Sequence, residues 1–214
     1  MKTFTRALAG AAVAAALALT SFSAVSAELE SLTPSGKTVK VQVPDNPKRV
    51  AVIDMAVLDM LDYWKLTDRI VAMPKTTPVS FLKHAFDNKN VANVGTLKEV
   101  DMEALMSAEP EVIFISGRLA KKYDQLSKIA PTIYMTTDRQ AGSMKSFEKD
   151  LANVAKLFDK AESAKAVTAY FEKRAEAIRA KAAGQTALVG LVTSAHVNLL
   201  GEKARASMIG NEFG

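Results

Sequence analysis

The chain has 214 residues and a formal net charge of +5 at neutral pH, from 28 basic and 23 acidic side chains. It contains no cysteine, which excludes disulfide bonds and the acylated cysteine of a bacterial lipoprotein. Only 7% of the residues are aromatic, and lysines and acids are mixed along most of the helical segments. This pattern excludes the basic stripe with interleaved aromatic residues that is typical of nucleic-acid binding.

Residues 1–27 have the pattern of a secretory signal peptide. Lys2 and Arg6 precede an apolar run at 7–19, and Val25-Ser26-Ala27 provides small residues before Glu28. The apolar run is shorter than the ~20 residues that cross a bilayer, and no second such run follows. We therefore expect cleavage after Ala27, export to the periplasm and no stable membrane insertion.

An alternating segment at 38–43 predicts a half-buried strand of an edge hairpin, because Val39, Val41 and Val43 share one side. From residue 49 onward, short β-branched runs alternate with helical patterns, which indicates parallel strands joined by crossover helices. The predicted strands are 50–54, 70–73, 91–94, 111–115 and 132–135.

Helical patterns fill the rest of the chain. A short helix is predicted at 101–108 before Glu109-Pro110, and apolar residues at helical spacing predict another around 147–158. The pattern of residues 160–183 predicts one long helix that ends at Gly184. This helix could be a surface helix, a spacer or a strut between domains. Strands at 187–192 and 197–200 and a helix at 207–213 then begin a second α/β unit that cannot bury its own apolar faces. The predicted units are 28–158, 159–184 and an incomplete 185–214.

Ligands of open parallel sheets bind beyond the carboxyl ends of the strands. The residues that follow the five predicted strands there make a small, polar and basic rim: Met55, Pro74-Lys75-Thr76, Gly95-Thr96-Leu97-Lys98, Ser116-Gly117-Arg118 and Thr137-Asp138. Gly117 allows a tight turn, and the guanidinium of Arg118 suits paired oxygen atoms. The alternative for Arg118 is a surface arginine paired with a nearby acid.

The sequence contains few residues in an arrangement that is typical of catalysis. His84 and His196 are the two histidines, and neither belongs to an HExxH motif. The GxSxG, GxxxxGK[ST] and GxGxxG motifs are absent as well. The sequence favours a binding protein without a covalent cofactor or a metal site of its own over an enzyme.

Five stretches of the chain carry a resemblance to a known family. They are 47–52 (PKRVAV) leading to 58–61 (LDML), 93–98 (NVGTLK), 109–118 (EPEVIFISGR), 128–132 (KIAPT), and 201–205 (GEKAR) with 209–214. Together they resemble the periplasmic ferric-siderophore-binding proteins of ABC importers. The first stretch is shared with haem and cobalamin binders, whereas Ser116-Gly117-Arg118 points to catecholate siderophores.

The resemblance implies an α/β fold of two Rossmann-like lobes joined by a single long helix. Only the first lobe, the helix and the start of the second lobe are then present. In such proteins the ligand lies between the lobes, so Arg118 would contact the anionic oxygens around the iron from the first lobe and Arg205 from the second. Lys98 would add a further cation, and Gly117, Thr96 and Lys75 would line the same cleft. A ferric catecholate is negatively charged, so its oxygens would accept charge-assisted hydrogen bonds.

The resemblance also implies a membrane permease as the partner of a monomeric binding protein. Acidic side chains on the outer face of each lobe contact permease arginines in this family, and Glu103 lies where such a residue is expected. A helix-initiating acid is the alternative for Glu103. A haem or cobalamin carrier, or a periplasmic α/β enzyme, remains the alternative for the whole protein.

Overall fold

A five-stranded parallel sheet lies at the centre of the molecule. The computed structural model describes residues 26–138, 141–201 and 208–213. Its strands are β1 (Ser26–Leu32), β2 (Thr38–Pro44), β3 (Val50–Ile53), β4 (Ile70–Met73), β5 (Ala92–Asn93), β6 (Val112–Ser116), β7 (Thr132–Met135), β8 (Gly190–Val192) and β9 (Val197–Leu199). The parallel sheet has the order β5-β4-β3-β6-β7, while β1-β2 and β8-β9 form separate antiparallel pairs.

Helices cover both faces of this sheet. They are α1 (Met55–Tyr63), α2 (Lys83–Asp87), α3 (Met102–Ser107), α4 (Tyr123–Leu126), α5 (Ser143–Leu157), α6 (Ala161–Ala182) and α7 (Met208–Asn211), with 3-10 turns at Thr67–Arg69, Ser80–Leu82 and Gly117–Lys122. Side chains of β6 alternate between two apolar layers, with Val112 and Phe114 toward α1 and α5 and Ile113 and Ile115 toward α3 and α4. Because β3 and β6 are buried on both faces, the sequences of both strands consist of almost continuous apolar residues.

The structure confirms an α/β fold with a parallel sheet, and each predicted strand of that sheet is present within two residues of its predicted ends. The predicted hairpin strand is also confirmed as β2. Its partner β1 was not predicted, because residues 26 and 27 were assigned to the signal peptide and its cleavage site. In β1, Leu29 and Ser31 point inward, and the Ser31 hydroxyl accepts a 2.9 Å hydrogen bond from the Tyr134 amide on the edge strand β7.

The predicted long helix is confirmed as α6, with Lys160 and Ala183 as its flanking residues. Gly184 follows in the left-handed region at φ +77°, where glycine is favoured. The start of α6 is fastened to α1, because the Trp64 indole donates to the Ser163 hydroxyl at 2.9 Å. Most of the remaining helix surface is exposed to solvent.

The C-terminal segment contacts the start of α5. The Glu212 carboxylate accepts hydrogen bonds from the amides of Ser143 and Met144, the latter at 2.8 Å, and the Glu212 carbonyl accepts one from Arg179 at 2.7 Å. Gly142, at φ +92°, makes room for this contact, because a Cβ there would lie 2.9 Å from a Glu212 oxygen. The predicted strand at 187–192 is shorter in the structure, and the apolar side chains of β8 and β9 are exposed.

Candidate functional site

The sheet reverses its winding direction between β3 and β6. From β3 the chain runs outward through β4 to β5 on one side, and then returns to place β6 and β7 on the other. The helices that follow two such neighbouring strands diverge, so a crevice opens at their carboxyl ends. Ile53 pairs with Ile115, which places Asp54 beside Ser116 and the crevice between Asp54 and Gly117-Arg118.

Asp54 forms one wall of this crevice. It precedes α1 as its N-cap, and its carboxylate accepts hydrogen bonds from the amides of Ala56 at 2.8 Å and Val57 at 3.1 Å. Burial raises the pKa of Asp54, while the two amides and the positive charge of Arg118 act in the opposite direction. Asp54 was not among the predicted site residues, because it was counted as the last residue of its strand.

Arg118 lies on the opposite wall, in the first turn after β6. Its side chain is exposed, and it forms no hydrogen bond or salt bridge with another residue in the described part of the chain. Its positive charge acts on the carboxylate of Asp54. The crevice therefore combines a cation that a ligand can reach with a carboxylate that is held back by its helix cap.

Hydroxyl groups surround Gly117. Ser116 is 9% exposed, and its hydroxyl oxygen is buried without a hydrogen-bond partner among the described residues. A Cβ on Gly117 would lie 3.4 Å from the Tyr134 hydroxyl and 4.0 Å from that of Thr136. These three hydroxyl residues were not predicted as site residues. Ser116 was singled out as part of the Ser116-Gly117-Arg118 element without a ligand contact of its own, and the other two belong to the neighbouring strand and its end.

The loop after β5 carries Thr96 and Lys98. The Thr96 hydroxyl accepts hydrogen bonds from the amides of Lys98 at 3.1 Å and Glu99 at 2.9 Å, so it shapes the turn. Gly95 is required there because its φ is +93° and a Cβ would lie 2.7 Å from the Glu99 carbonyl oxygen. The Lys98 side chain is exposed at the tip of this turn.

Lys75 follows β4 and is half-buried. Its ammonium group donates to the Asn88 carbonyl at 2.5 Å, and its amide donates to the Asn93 side chain at 3.1 Å. Burial lowers the pKa of Lys75. In this structure the side chain ties the loop after β4 to the end of α2, and its contact with a ligand stays a prediction.

Of the two remaining predicted residues, the structure describes Glu103, which lies on α3 and not on the walls of the crevice. Glu103 is exposed in the first turn of α3, whose N-cap Asp101 accepts hydrogen bonds from the amides of Glu103 at 3.0 Å and Ala104 at 2.9 Å. Arg205 lies outside the described residues. The structure thus brings Arg118 and Gly117 together with Asp54, and it places Lys98, Thr96 and Lys75 on the loops after β5 and β4.

A second carboxyl group lies near Asp54. Asp150 is half-buried on α5 and lines a small cavity together with Ser31, Thr136 and Ser146. Burial and the negative charge of Asp54 raise the pKa of Asp150 to about 7, against the attraction of Lys149. Nothing in the helical pattern of α5 distinguished this aspartate from the surface acids around it.

Across residues 26–138, 141–201 and 208–213, no three or more His, Cys, Asp or Glu side chains come together in a group that could hold a metal ion. No helix of that part of the chain combines the length and apolar character needed to span a membrane.

Comparison with known proteins identifies relatives over most of the chain. The profile of the family described as periplasmic binding protein matches residues 50–205. The petrobactin-binding protein YclQ of Bacillus subtilis is 35% identical over 175 residues, which cover 81% of this chain and 55% of the relative. The ferric-anguibactin-binding protein FatB of Vibrio anguillarum is 23% identical over 184 residues, which cover 84% of this chain and 56% of the relative. The chain thus spans about half the length of the curated relatives it matches.

Solved structures agree with the fold described above. The crystal structure of YclQ superposes with a TM-score of 0.78 at 32% identity, covering 88% of this chain and 66% of that one. The periplasmic catecholate-siderophore-binding protein VctP of Vibrio cholerae superposes with a TM-score of 0.77 at 25% identity, again over 88% and 66% of the two chains.

Proposed function

Because the chain belongs to the periplasmic binding protein family, we propose that it carries a ferric-siderophore-binding lobe of an ABC import system. The observation that carries the proposal is Arg118, an exposed cation without a salt bridge in the described residues, at the point where the sheet reverses. Relatives named for petrobactin, anguibactin and catecholate siderophores support the same ligand class.

Binding in this proposal needs no covalent chemistry. A ferric catecholate carries net negative charge, and its iron-bound oxygens accept charge-assisted hydrogen bonds from a guanidinium that is preorganised in a crevice. Arg118 supplies these donors from the described lobe, Lys98 adds positive charge from its exposed loop, and Arg205 supplies a second guanidinium. Gly117 has no side chain, so the ligand can approach the backbone there. Thr96 and Lys75 contribute by holding their loops in place.

The cellular part of the proposal follows from the N-terminal segment and the family. Residues 1–27 direct the protein to the periplasm, where it binds its ligand as a monomer and delivers it to an inner-membrane permease. Glu103, exposed in the first turn of α3, is the proposed contact with permease arginines. No enzymatic step is required of the chain for this role.

The proposal is tested by titrating the purified protein with a ferric catecholate, haem and cobalamin while following the fluorescence of Trp64, the single tryptophan. We expect saturable quenching by the ferric catecholate. Arg118→Ala should weaken that binding by about 10- to 100-fold, since hydrogen bonds to charged groups contribute about 1.5–3 kcal/mol. Arg174→Ala, which removes an exposed arginine from α6, is the matched control and should bind normally.

Tight binding of haem or cobalamin with no response to the ferric catecholate would replace this proposal by the carrier alternative. Equal affinities of Arg118→Ala and Arg174→Ala for the ferric catecholate would remove Arg118 from the site.

A further inference from the structure

Two hydroxyl groups close to Gly117, the residue before Arg118, have no partner within the described part of the protein. They belong to Tyr134 and to Thr136, at the carboxyl end of β7, beside the strand that leads to Arg118. Neither hydroxyl forms a hydrogen bond with another described residue, in contrast to the Thr96 hydroxyl, which accepts two. The buried Ser116 hydroxyl, also without a partner, lies at the end of β6. Among the described residues, the Ser116 hydroxyl is the buried one without a partner, whereas the Tyr134 and Thr136 hydroxyls are not enclosed and can donate to a ligand.

Gly117 gives these hydroxyls access to the crevice. A Cβ at that position would lie 3.4 Å from the Tyr134 hydroxyl and 4.0 Å from the Thr136 hydroxyl, so an ordinary side chain would fill the space in front of them. Gly117 is exposed and immediately precedes Arg118. The Tyr134 hydroxyl and the backbone that carries the Arg118 guanidinium therefore border the same gap.

The Tyr134 ring packs against one aromatic neighbour, and the backbone of the residue is fixed in the sheet. Its edge-to-face contact with Tyr123 has a centroid distance of 6.3 Å and an interplanar angle of 82°. Its amide donates to the Ser31 hydroxyl at 2.9 Å, and its residue pairs with Ile115 across the sheet. A donor that is already fixed in position loses little conformational entropy when it binds a ligand.

We infer that the Tyr134 hydroxyl is a further ligand-binding group, which donates a hydrogen bond to an anionic oxygen of the ferric complex beside Arg118. This inference rests on the proposed function and adds a specificity-determining residue to it. The Arg118 guanidinium presents a planar fork of donors to a pair of oxygens, and a third oxygen of the complex lies outside the reach of that fork. A rigid phenol next to it requires an acceptor oxygen at one defined place, which selects among ferric complexes of similar charge.

The test is Tyr134→Phe in the full chain, with Tyr123→Phe as the matched loss of one neighbouring phenol hydroxyl. Affinities are measured for a ferric catecholate and for ferric citrate, which separates catecholate from carboxylate oxygens as the acceptor. We expect Tyr134→Phe to weaken binding of the preferred complex by about 10-fold or more at an unchanged midpoint of thermal unfolding, because the ring packing stays. Tyr123→Phe should bind like the wild type.

Gly117→Ala provides an independent variant, because it covers the hydroxyl without removing it. Gly117 does not have a positive φ, so alanine fits the backbone there. We expect Gly117→Ala to weaken binding, and Tyr134→Phe combined with it to weaken binding no further, since both changes remove the same contact.

The outcomes separate the inference from the proposed function. If the wild type binds the ferric complex and Arg118→Ala does not, wild-type affinity of Tyr134→Phe overturns the inference and leaves the proposed function intact. A loss in Tyr134→Phe that Tyr123→Phe reproduces also overturns it, because the effect would then come from packing. No binding by the wild type overturns both.

Discussion

Asp150 should make the folded protein less stable as the pH rises toward neutrality. Its pKa is about 7 in the folded protein against an ordinary value of 3.8, because it is buried and lies near the negative charge of Asp54. Between these two pH values the folded chain therefore binds more protons than the unfolded chain. The free energy of unfolding then falls as the pH increases, which is the opposite of the usual effect of a salt-bridged carboxylate.

The size of this effect follows from the two pKa values. The difference between 3.8 and about 7 corresponds to a cost of at most about 4 kcal/mol once Asp150 is fully charged. About 2 kcal/mol of that cost develops between about pH 5.5 and about pH 8, and the rest develops below that range. Asp150→Asn keeps the size of the side chain and removes the charge, so it should be the more stable protein at pH 8.

Urea unfolding followed by Trp64 fluorescence measures both proteins at the two pH values. Trp64 is 7% exposed and hydrogen-bonded to Ser163, so unfolding changes its surroundings. The stability gap between Asp150→Asn and the wild type should widen by about 2 kcal/mol from pH 5.5 to pH 8. Asp59→Asn, the same substitution on the exposed surface of α1, is the control. A gap for Asp150→Asn that is the same at both pH values would refute the reasoning.

Two further predictions concern the start of α5 and the loop after β5. Glu212→Ala should lower the free energy of unfolding by about 1–2 kcal/mol and speed amide exchange in the first turn of α5, because that turn loses its capping carboxylate. Glu172→Ala, on the exposed side of α6, is the control. Equal amide exchange in the two variants would contradict the capping role of Glu212. Gly95→Ala should cost more than about 1–3 kcal/mol, because it adds a clash with the Glu99 carbonyl to the strain of a positive φ. Gly36→Ala shares the positive φ with open space around it, so similar unfolding midpoints for the two would show that the clash is absent.

The strands of the parallel sheet were predictable from local pattern. Runs such as 112–115 are apolar on both faces, and each is bounded by residues that end a helix or form a turn, as Pro110 does. The boundary errors have a local cause as well. Asp54 and Asp101 are helix N-caps, and such residues belong to neither element by composition alone.

The candidate site was predictable only in part. The rule that ligands bind at the carboxyl ends of parallel strands identified Arg118, Lys98 and Lys75 as rim residues, and the fold confirms that each follows a strand of the sheet. What each side chain does there depends on its neighbours. The Lys75 ammonium group donates a hydrogen bond to the carbonyl of Asn88, 13 residues along the chain. Arg118, in contrast, has no salt bridge in the described segments.

By itself, the sequence determined the class of fold, the long helix α6 and the set of residues available at one edge of the sheet. These features depend on local periodicity and on the conformational limits of glycine and proline, which a short stretch of chain carries within itself. Only the tertiary structure decided that β6 lies beside β3, so that Asp54, Arg118 and the Tyr134 hydroxyl border one crevice and Asp150 lies close to Asp54. Strand order depends on how crossover helices pack on the two faces of the sheet, and that packing energy is shared among residues far apart in the chain.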